Sequence, residues 1–186
     1  MRADAERSIA AILEAAVDAL TSDPEASMAE IARRAGVVRA TIYVHFPSRE
    51  ALIEAVTKRA IADATQAIAA VEPASGEPAA ALRRVLEAAW RTLGRFHALV
   101  AINARLPAAE LHERHASVMA HLAPLVARGQ DDGTFRANVP IAWHLATIMA
   151  LVHAASIELQ ADRVPAADVE PLLIATVLGA LGATPA

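Results

Sequence analysis

The sequence predicts an all-α protein, and three observations lead to this prediction. Of its 186 residues, 55% are hydrophobic and only 3% aromatic, with alanine the dominant apolar residue. The β-branched and aromatic residues rarely alternate with polar ones, as they would in a half-buried strand. Apolar residues instead recur three and four positions apart, which is the repeat of a helix with one buried face.

The first predicted element is an amphipathic helix at the N-terminus. Ile9, Ile12, Val17 and Leu20 recur at helical spacing, and the pattern ends around residues 21–24. This helix is expected to pack across the two short helices that follow it.

The segment 27–52, SMAEIARRAGVVRATIYVHFPSREAL, predicts two short helices joined by a sharp turn. Ser27 and Glu30 have the spacing of a capping box at the start of the first helix. Gly36 stands where the backbone must adopt a conformation that a side chain would resist. Ile42 falls on the inner face of the second helix, and the small Ala32 lets the helices cross closely. This spacing indicates a helix-turn-helix.

The second short helix, over about 38–44, is predicted to face DNA. Between positions 27 and 49 there are four arginines against Glu30 alone, so this segment is locally positive. Polar side chains on its outer face can donate to phosphates or reach base edges. The outward residues are Arg39, Ala40, Thr41, Tyr43 and His45. A core role for Tyr43 and a solvated surface role for His45 are the alternatives.

This segment resembles the DNA-binding domain of the tetracycline-repressor (TetR) family of bacterial regulators. The matching residues are the Ser27 to Glu30 opening, Ile31-Ala32, Ala35-Gly36-Val37, Thr41-Ile42-Tyr43, His45-Phe46 and positions 47–52. The family usually has Ser or Thr where this chain has Val38, and losing an N-cap hydroxyl costs about 0.5–2 kcal/mol. The resemblance implies that Ser27, Val38, Ser48 and Arg49 also lie at the DNA-binding surface.

The chain is expected to divide into a helix-turn-helix domain, residues 1–50, and a helical ligand-binding and dimerisation domain, residues 71–186. A fourth helix from about 48 to 70 connects them. The last two helical patterns, 141–160 and 169–181, are apolar on more than one face, which predicts a two-fold four-helix interface between two copies. A central core helix without a dimer role is the alternative. The predicted interface residues are Ile141, Leu145, Ile148, Val152, Leu173, Val177, Leu178 and Leu181.

Several histidines in the second half lie beside aromatic residues and methionines, a pattern that predicts an apolar pocket with a few polar anchors. Ordinary core histidines are the alternative. The candidate pocket residues are Trp90, Arg95, Phe96, His97, Asn103, Met119, Trp143, His144, Met149 and His153. His112 and His115 have a spacing that can chelate a metal. The charged residues around them indicate a solvated face instead, so no metal and no cofactor are expected.

Composition and motifs also limit the functional class. The absence of cysteine excludes disulfides and thiolate metal sites, and no nucleophile elbow or phosphate-binding loop is present, so an enzyme is not expected. The net charge of −4 requires any DNA contact to be local. The N-terminus mixes both charge signs and does not predict a signal peptide, and the apolar run 145–157 is too short to cross a bilayer.

Together these features predict a cytoplasmic, ligand-responsive transcriptional regulator, a repressor that binds a pseudo-palindromic double-stranded DNA operator as a homodimer. A small-molecule effector is its second expected partner, and no membrane association is expected. The alternatives are a histidine-using metal-dependent enzyme and a helix-turn-helix adaptor that binds protein.

Overall fold

The computed structural model describes residues 2–94, 96–97, 99–100 and 108–182, and this part of the chain is helical without strands. The helices are α1 (Arg2–Ser22), α2 (Met28–Arg34), α3 (Arg39–His45), α4 (Arg49–Ala70), α5 (Pro78–Leu93), α6 (Ala108–Arg114), α7 (Ala116–Asp131), α8 (Ile141–Gln160) and α9 (Ala166–Leu181). The predicted all-α fold is confirmed. Internal contacts divide the chain into two units, Met1–Ala60 and Ile61–Ala186.

The first unit contains α1, α2, α3 and the beginning of α4. Helix α1 packs against α2, and α2 packs against α3. The core consists of side chains with no exposed surface, among them Ile12, Leu20, Ile31, Ile42 and Leu52. The predicted three-helix arrangement is therefore present, with Ile42 as the buried anchor of the second short helix.

The turn between α2 and α3 has the predicted geometry. Gly36 has a φ of +68°, a backbone conformation that a side chain disfavours. The amide of Gly36 donates to the Arg33 carbonyl at 3.2 Å, and the amide of Val37 donates to the Ala32 carbonyl at 3.0 Å. These two bonds satisfy carbonyls at the end of α2 and direct the chain into α3.

The second unit has its own core, built where α5 packs on α7 and α9 and where α8 packs on α7 and α9. Phe135 lies at its edge with only 1% of its surface exposed. A Cβ atom on Gly129 would lie 2.1 Å from the Phe135 ring, so only glycine fits at that position of α7. Helix α7 continues through Pro124 without ending.

The structure corrects the predicted dimer-interface residues. Leu145, Ile148, Leu173, Val177, Leu178 and Leu181 are buried in the core of the second unit, and Ile141 and Val152 pack against that core. The six buried side chains are covered by the chain's own helices and are not available to a second copy, whereas Ile141 and Val152 are half-buried. The error arose because both faces of each helix are apolar, and the sequence does not say which face the same chain covers.

Helix α8 is longer than the apolar run 145–157 within it. It has 20 residues and a mean hydropathy of 1.3, and among the described helices it is long and apolar enough to cross a membrane, as core helices of soluble proteins also can be. Only 22% of its apolar stretch is buried within the chain, so an apolar surface remains uncovered.

Candidate functional site

Helix α3 exposes most of the residues that the sequence assigns to DNA contact. Val38, Arg39 and Ala40 are exposed, and Tyr43 keeps 40% of its surface. Thr41 and His45 are half-buried on the flank of the helix, and Phe46 is buried, as expected for a core residue. The sequence analysis missed Val44, which is 79% exposed. Exposure at this apolar position could have been inferred from its place two residues after the buried Ile42.

The Arg39 and Tyr43 side chains meet along one side of α3. The Arg39 guanidinium carbon lies 5.7 Å from the centre of the Tyr43 ring, within the range of a cation–π contact. The two residues are one helical turn apart, which places them on the same face. This contact holds a cation and a phenol side by side on an exposed surface.

Val38 occupies the N-cap position of α3, as predicted, but its side chain does not cap the helix. Its backbone is extended, with φ −73° and ψ 150°, and its side chain makes no hydrogen bond to the helix. The corresponding residue of α2 is Ser27, whose hydroxyl accepts from the Glu30 amide at 3.2 Å. The molecule therefore contains one capped and one uncapped helix of the same length.

The predicted capping box forms only in part, because Ser27 caps the helix but Glu30 has other partners. Its carboxylate does not turn back to the Ser27 amide but accepts from Arg33 at 2.7 and 2.9 Å and from Arg34 at 2.8 Å. Hydrogen bonds from these two arginines lower the pKa of Glu30 to about 2. The single negative charge of Glu30 thus offsets one of the two positive charges of Arg33 and Arg34 on α2.

Ser48 and Arg49 have structural partners inside the first unit. The Ser48 hydroxyl accepts from the Ala51 amide at 3.1 Å at the start of α4. The Arg49 guanidinium donates to the Ala26 carbonyl at 3.4 Å and to the Pro24 carbonyl. Arg49 therefore ties the beginning of α4 to the loop before α2, a role that the sequence pattern did not reveal.

Two adjoining cavities lie in the second unit. The inner one has a volume of about 70 Å³ and the outer one about 350 Å³. Three side chains, His115, Met149 and His153, line both cavities and stand at their junction. The remaining walls of the inner cavity are apolar side chains: Ile61, Ala64, Ile68, Val85, Leu86, Ala89, Leu93, Val100, Val118, Leu122, Ile148 and Val152.

The two junction histidines lie against each other and are neutral at pH 7. Their ring centres are 5.8 Å apart in an edge-to-face arrangement. Burial is the largest cause that lowers the pKa of both His115 and His153, and the nearby Arg114 lowers that of His115 further. His115 donates from Nδ1 to the Leu111 carbonyl at 2.8 Å. The structure thus corrects the expectation of a solvated face at this residue.

The structure supports some of the predicted pocket residues and corrects others. Met149 and His153 line both cavities, and Met119 lines the outer one. Trp143 is 68% exposed on the surface of α8 and is not a pocket residue. His144 is buried with its Nε2 3.0 Å from the Arg136 carbonyl, which makes it a satisfied core histidine. Arg95 and Asn103 lie outside the described residues.

The remaining candidates, Trp90, Phe96 and His97, are buried and line neither of these two cavities. The Trp90 and His97 rings lie 4.3 Å apart. Ser156 donates its hydroxyl proton to the Val152 carbonyl, so the 3.1 Å contact to His97 requires Nδ1 of His97 to be the donor. Burial lowers the pKa of His97 to about 4.

The described residues contain no group of three or more His, Cys, Asp or Glu side chains close enough to hold a metal ion. His112 is exposed at the outer cavity, and the ring of His115 is directed to Leu111 and His153. The geometry therefore offers no support for a metal centre at these histidines.

Large exposed apolar side chains occur in two places in the described chain. One group, Val38, Tyr43 and Val44, is on and beside α3. The other is on α8 and α9 and consists of Trp143, Ile157 and Leu172. On α8, Trp143 and Ile157 lie on one side with the exposed Ala146, Ala150 and Ala154 between them. The exposed apolar side chains of the first unit thus lie at α3, and those of the second unit lie on α8 and α9.

An exposed second helix in a helix-turn-helix, together with a separate helical unit that contains a cavity, defines a class of DNA-binding regulators. The profile of "Bacterial regulatory proteins, tetR family" matches residues 12–56, which contain the helix-turn-helix. Residues 12–56 are thus similar to the helix-turn-helix domain of the TetR family. This confirms the resemblance that the segment 27–52 indicated.

Comparison with individual proteins agrees with this assignment. The chain is 40% identical over 82 residues to the HTH-type transcriptional repressor LfrR of Mycolicibacterium smegmatis, a match covering 44% of this chain and 43% of that protein. The aligned segment thus spans less than half the length of this relative. The crystal structure of LfrR from Mycobacterium smegmatis with proflavine has a TM-score of 0.73, with 27% identity, over 92% of this chain and 94% of that one.

The fold is shared more widely. The FadR regulator of Bacillus subtilis, crystallised with stearoyl-CoA, has a TM-score of 0.74 over 92% of this chain and 96% of that chain. Its identity to this chain is 17%, so the likeness concerns the fold alone.

Proposed function

We propose that this protein is a cytoplasmic, ligand-responsive transcriptional repressor that binds a pseudo-palindromic operator as a homodimer. The observation that carries the proposal is the exposed face of α3, with Arg39 and Tyr43 side by side, in a domain of the TetR family. The name of the relative LfrR, a transcriptional repressor, supports repression as the direction of control.

DNA binding is tested by selecting genomic fragments with the purified protein and measuring affinity for the selected operator over a range of salt concentrations. Replacing Arg39 by Ala should weaken binding because a cation at the DNA surface is lost. Arg83→Ala, at an exposed position of α5, removes the same charge elsewhere and is the matched control. Failure to select any fragment, or equal losses in the two variants, would contradict this function.

The homodimer is proposed from the uncovered apolar face of α8 and α9. Trp143 on α8 and Leu172 on α9 are 68% and 55% exposed, and exposed apolar surface of this kind is typical of an interface. A carboxylate buried there without a partner is costly, so Leu172→Glu should produce monomers. Ala120→Glu, on the exposed side of α7, is the control. Sedimentation at micromolar concentration distinguishes them, and a monomeric wild-type protein would refute the proposal.

The effector is proposed to be an uncharged molecule with an apolar body. Among the described residues that line the two cavities there is no Asp or Glu, and the histidines at the junction are neutral at pH 7. A cation would enter this space without a counter-charge, which is unfavourable in a poorly hydrated site. The outer cavity, at about 350 Å³, falls in the range of small-molecule sites. His115 and His153 supply hydrogen-bonding groups for one polar end.

Three probes of equal chain length test this chemistry: decanol, decanoate and decyltrimethylammonium. Decanol should bind most tightly, and Met149→Trp, which fills the junction, should abolish its binding. Proflavine, the compound crystallised with LfrR, is a cation and serves as a further comparison. Tighter binding of the cations than of decanol would refute the proposed class.

Regulation requires that the effector bind one conformation better than the other. Family members with this behaviour need a coupling of only about 1–3 kcal/mol between the two sites. Saturating ligand should therefore weaken operator affinity by roughly 5- to 150-fold. A ligand that binds the cavity without changing operator affinity would not be an effector.

A further inference from the structure

The part of α3 that projects farthest from the core is apolar. Ile42 is completely buried and therefore fixes the rotation of the helix. Successive residues of an α-helix are about 100° apart, so Ala40 and Val44 each lie roughly 160° from Ile42, on opposite sides of the outward direction. Both are exposed, and Val44 is the most exposed of the large apolar side chains described. We call this pair, Ala40 and Val44, the outer ridge.

Polar side chains lie on both sides of the outer ridge. Arg39 and Tyr43 are about 60° and 100° from Ile42 on one side, and Thr41 and His45 are at similar angles on the other. The burial pattern agrees, because Thr41 and His45 are half-buried while the ridge is open. A helix in the major groove directs its outermost residues to the base edges and its flanks to the two backbones.

The outer ridge lacks hydrogen-bonding side chains and so cannot recognise the pattern of donors and acceptors on the bases. The one apolar group that bases present in the major groove is the C5-methyl group of thymine. We propose that Ala40 and Val44 recognise thymine methyl groups, while Arg39, Tyr43 and Thr41 contact the phosphates that position the helix. This inference rests on the proposed DNA-binding function. It assigns base recognition to Ala40 and Val44 and not to the polar side chains Arg39, Thr41 and Tyr43.

The neighbouring charge favours DNA over a protein partner for this surface. Arg39 borders the ridge, and no acidic side chain occurs in α3. A polyanion is therefore attracted along the flank while the ridge remains free to enter a groove.

The test uses the full-length protein and an operator selected from genomic DNA. Each thymine of one half-site is replaced in turn by deoxyuridine, which removes the methyl group and keeps every hydrogen-bonding atom. At one or two positions affinity should fall about fourfold, the effect expected for losing the burial of one methyl group. Val44→Ala should weaken binding to the thymine operator and bring the thymine-to-uracil affinity ratio at its position close to one.

Tyr43→Phe is the control, because a lost phosphate contact should weaken binding to both operators alike and leave the ratio unchanged. Circular dichroism checks that the exposed substitutions leave the helices intact. Equal affinity for thymine and uracil at every position of the half-site would overturn the inference while leaving DNA binding established. An unchanged ratio in Val44→Ala would overturn it as well. Binding of a protein but no DNA would overturn the proposed function and this inference with it.

Discussion

Restoring a hydroxyl at the start of α3 should stabilise the first unit. Val38 occupies the N-cap with an extended backbone and no side-chain cap, and 70% of its surface is exposed. Replacing it by Ser therefore loses little buried apolar surface and adds a side-chain acceptor for the amides of the first turn. The model for the effect is α2, where the Ser27 hydroxyl accepts from the Glu30 amide.

The magnitude follows from what the amides of α3 already bind. The Thr41 amide, which an N-cap hydroxyl would accept from, donates to the Val38 carbonyl at 2.9 Å. Part of the usual cap energy is thus already present, and Val38→Ser should contribute about 0.5–1 kcal/mol, the lower part of the range for N-caps. For a unit of this size that corresponds to a rise in Tm of roughly 2–8 °C.

Urea unfolding followed by circular dichroism measures the change, at one fixed protein concentration because association would add to the apparent stability. Amide exchange at Ala40 and Thr41 localises it. Val38→Ala is the control for loss of the valine side chain, and Ser27→Ala should destabilise by about 0.5–2 kcal/mol. The reasoning fails if Val38→Ser is no more stable than Val38→Ala.

Three further substitutions test interactions described above. Burial holds the pKa of His97 at about 4 in the folded protein, against 6.5 ordinarily. The free energy of unfolding should therefore fall by up to ~3 kcal/mol as the pH is lowered from 6.5 to 4, because the unfolded chain binds a proton that the folded protein does not. The free energy of unfolding of His97→Leu should fall less than that of the wild-type protein over the same pH range. Gly129→Ala should destabilise by about 1–3 kcal/mol, despite better helix propensity, because its Cβ meets the Phe135 ring; an unchanged urea midpoint would contradict this packing. Arg49→Lys keeps the charge but loses the forked donor, and should cost about 1 kcal/mol of stability. If Arg49→Lys lowers DNA affinity but leaves stability unchanged, Arg49 contacts a DNA phosphate and does not stabilise the first unit.

The helix-turn-helix was predictable because its signals are local. Ser27, Gly36 and Ile42 specify a cap, a turn and a buried face within sixteen residues of sequence, and each has the expected conformation or burial. The role of Arg49 was not predictable in the same way. Its carbonyl partners are 23 and 25 residues earlier in the chain, and only the folded domain brings them together.

In the second unit, the presence of helices was predictable but the use of their faces was not. Leu178 and Leu172 are equally apolar in the sequence, yet the first is buried and the second exposed. The same holds for His144 and His153, which lie on one helix, the first bonded in the core and the second at a cavity. Helical periodicity identifies apolar faces, whereas their partners depend on how the helices of the second unit pack.

The ion pairs of Glu30 bear on how many copies of the protein a cell needs. Glu30 offsets one of the two positive charges of Arg33 and Arg34, so the three side chains attract random DNA sequence as a single positive charge and not as two. With the pKa of Glu30 at about 2, this balance holds across the whole physiological pH range. For the proposed repressor, weaker attraction by random sequence lowers the number of molecules needed to keep one operator occupied.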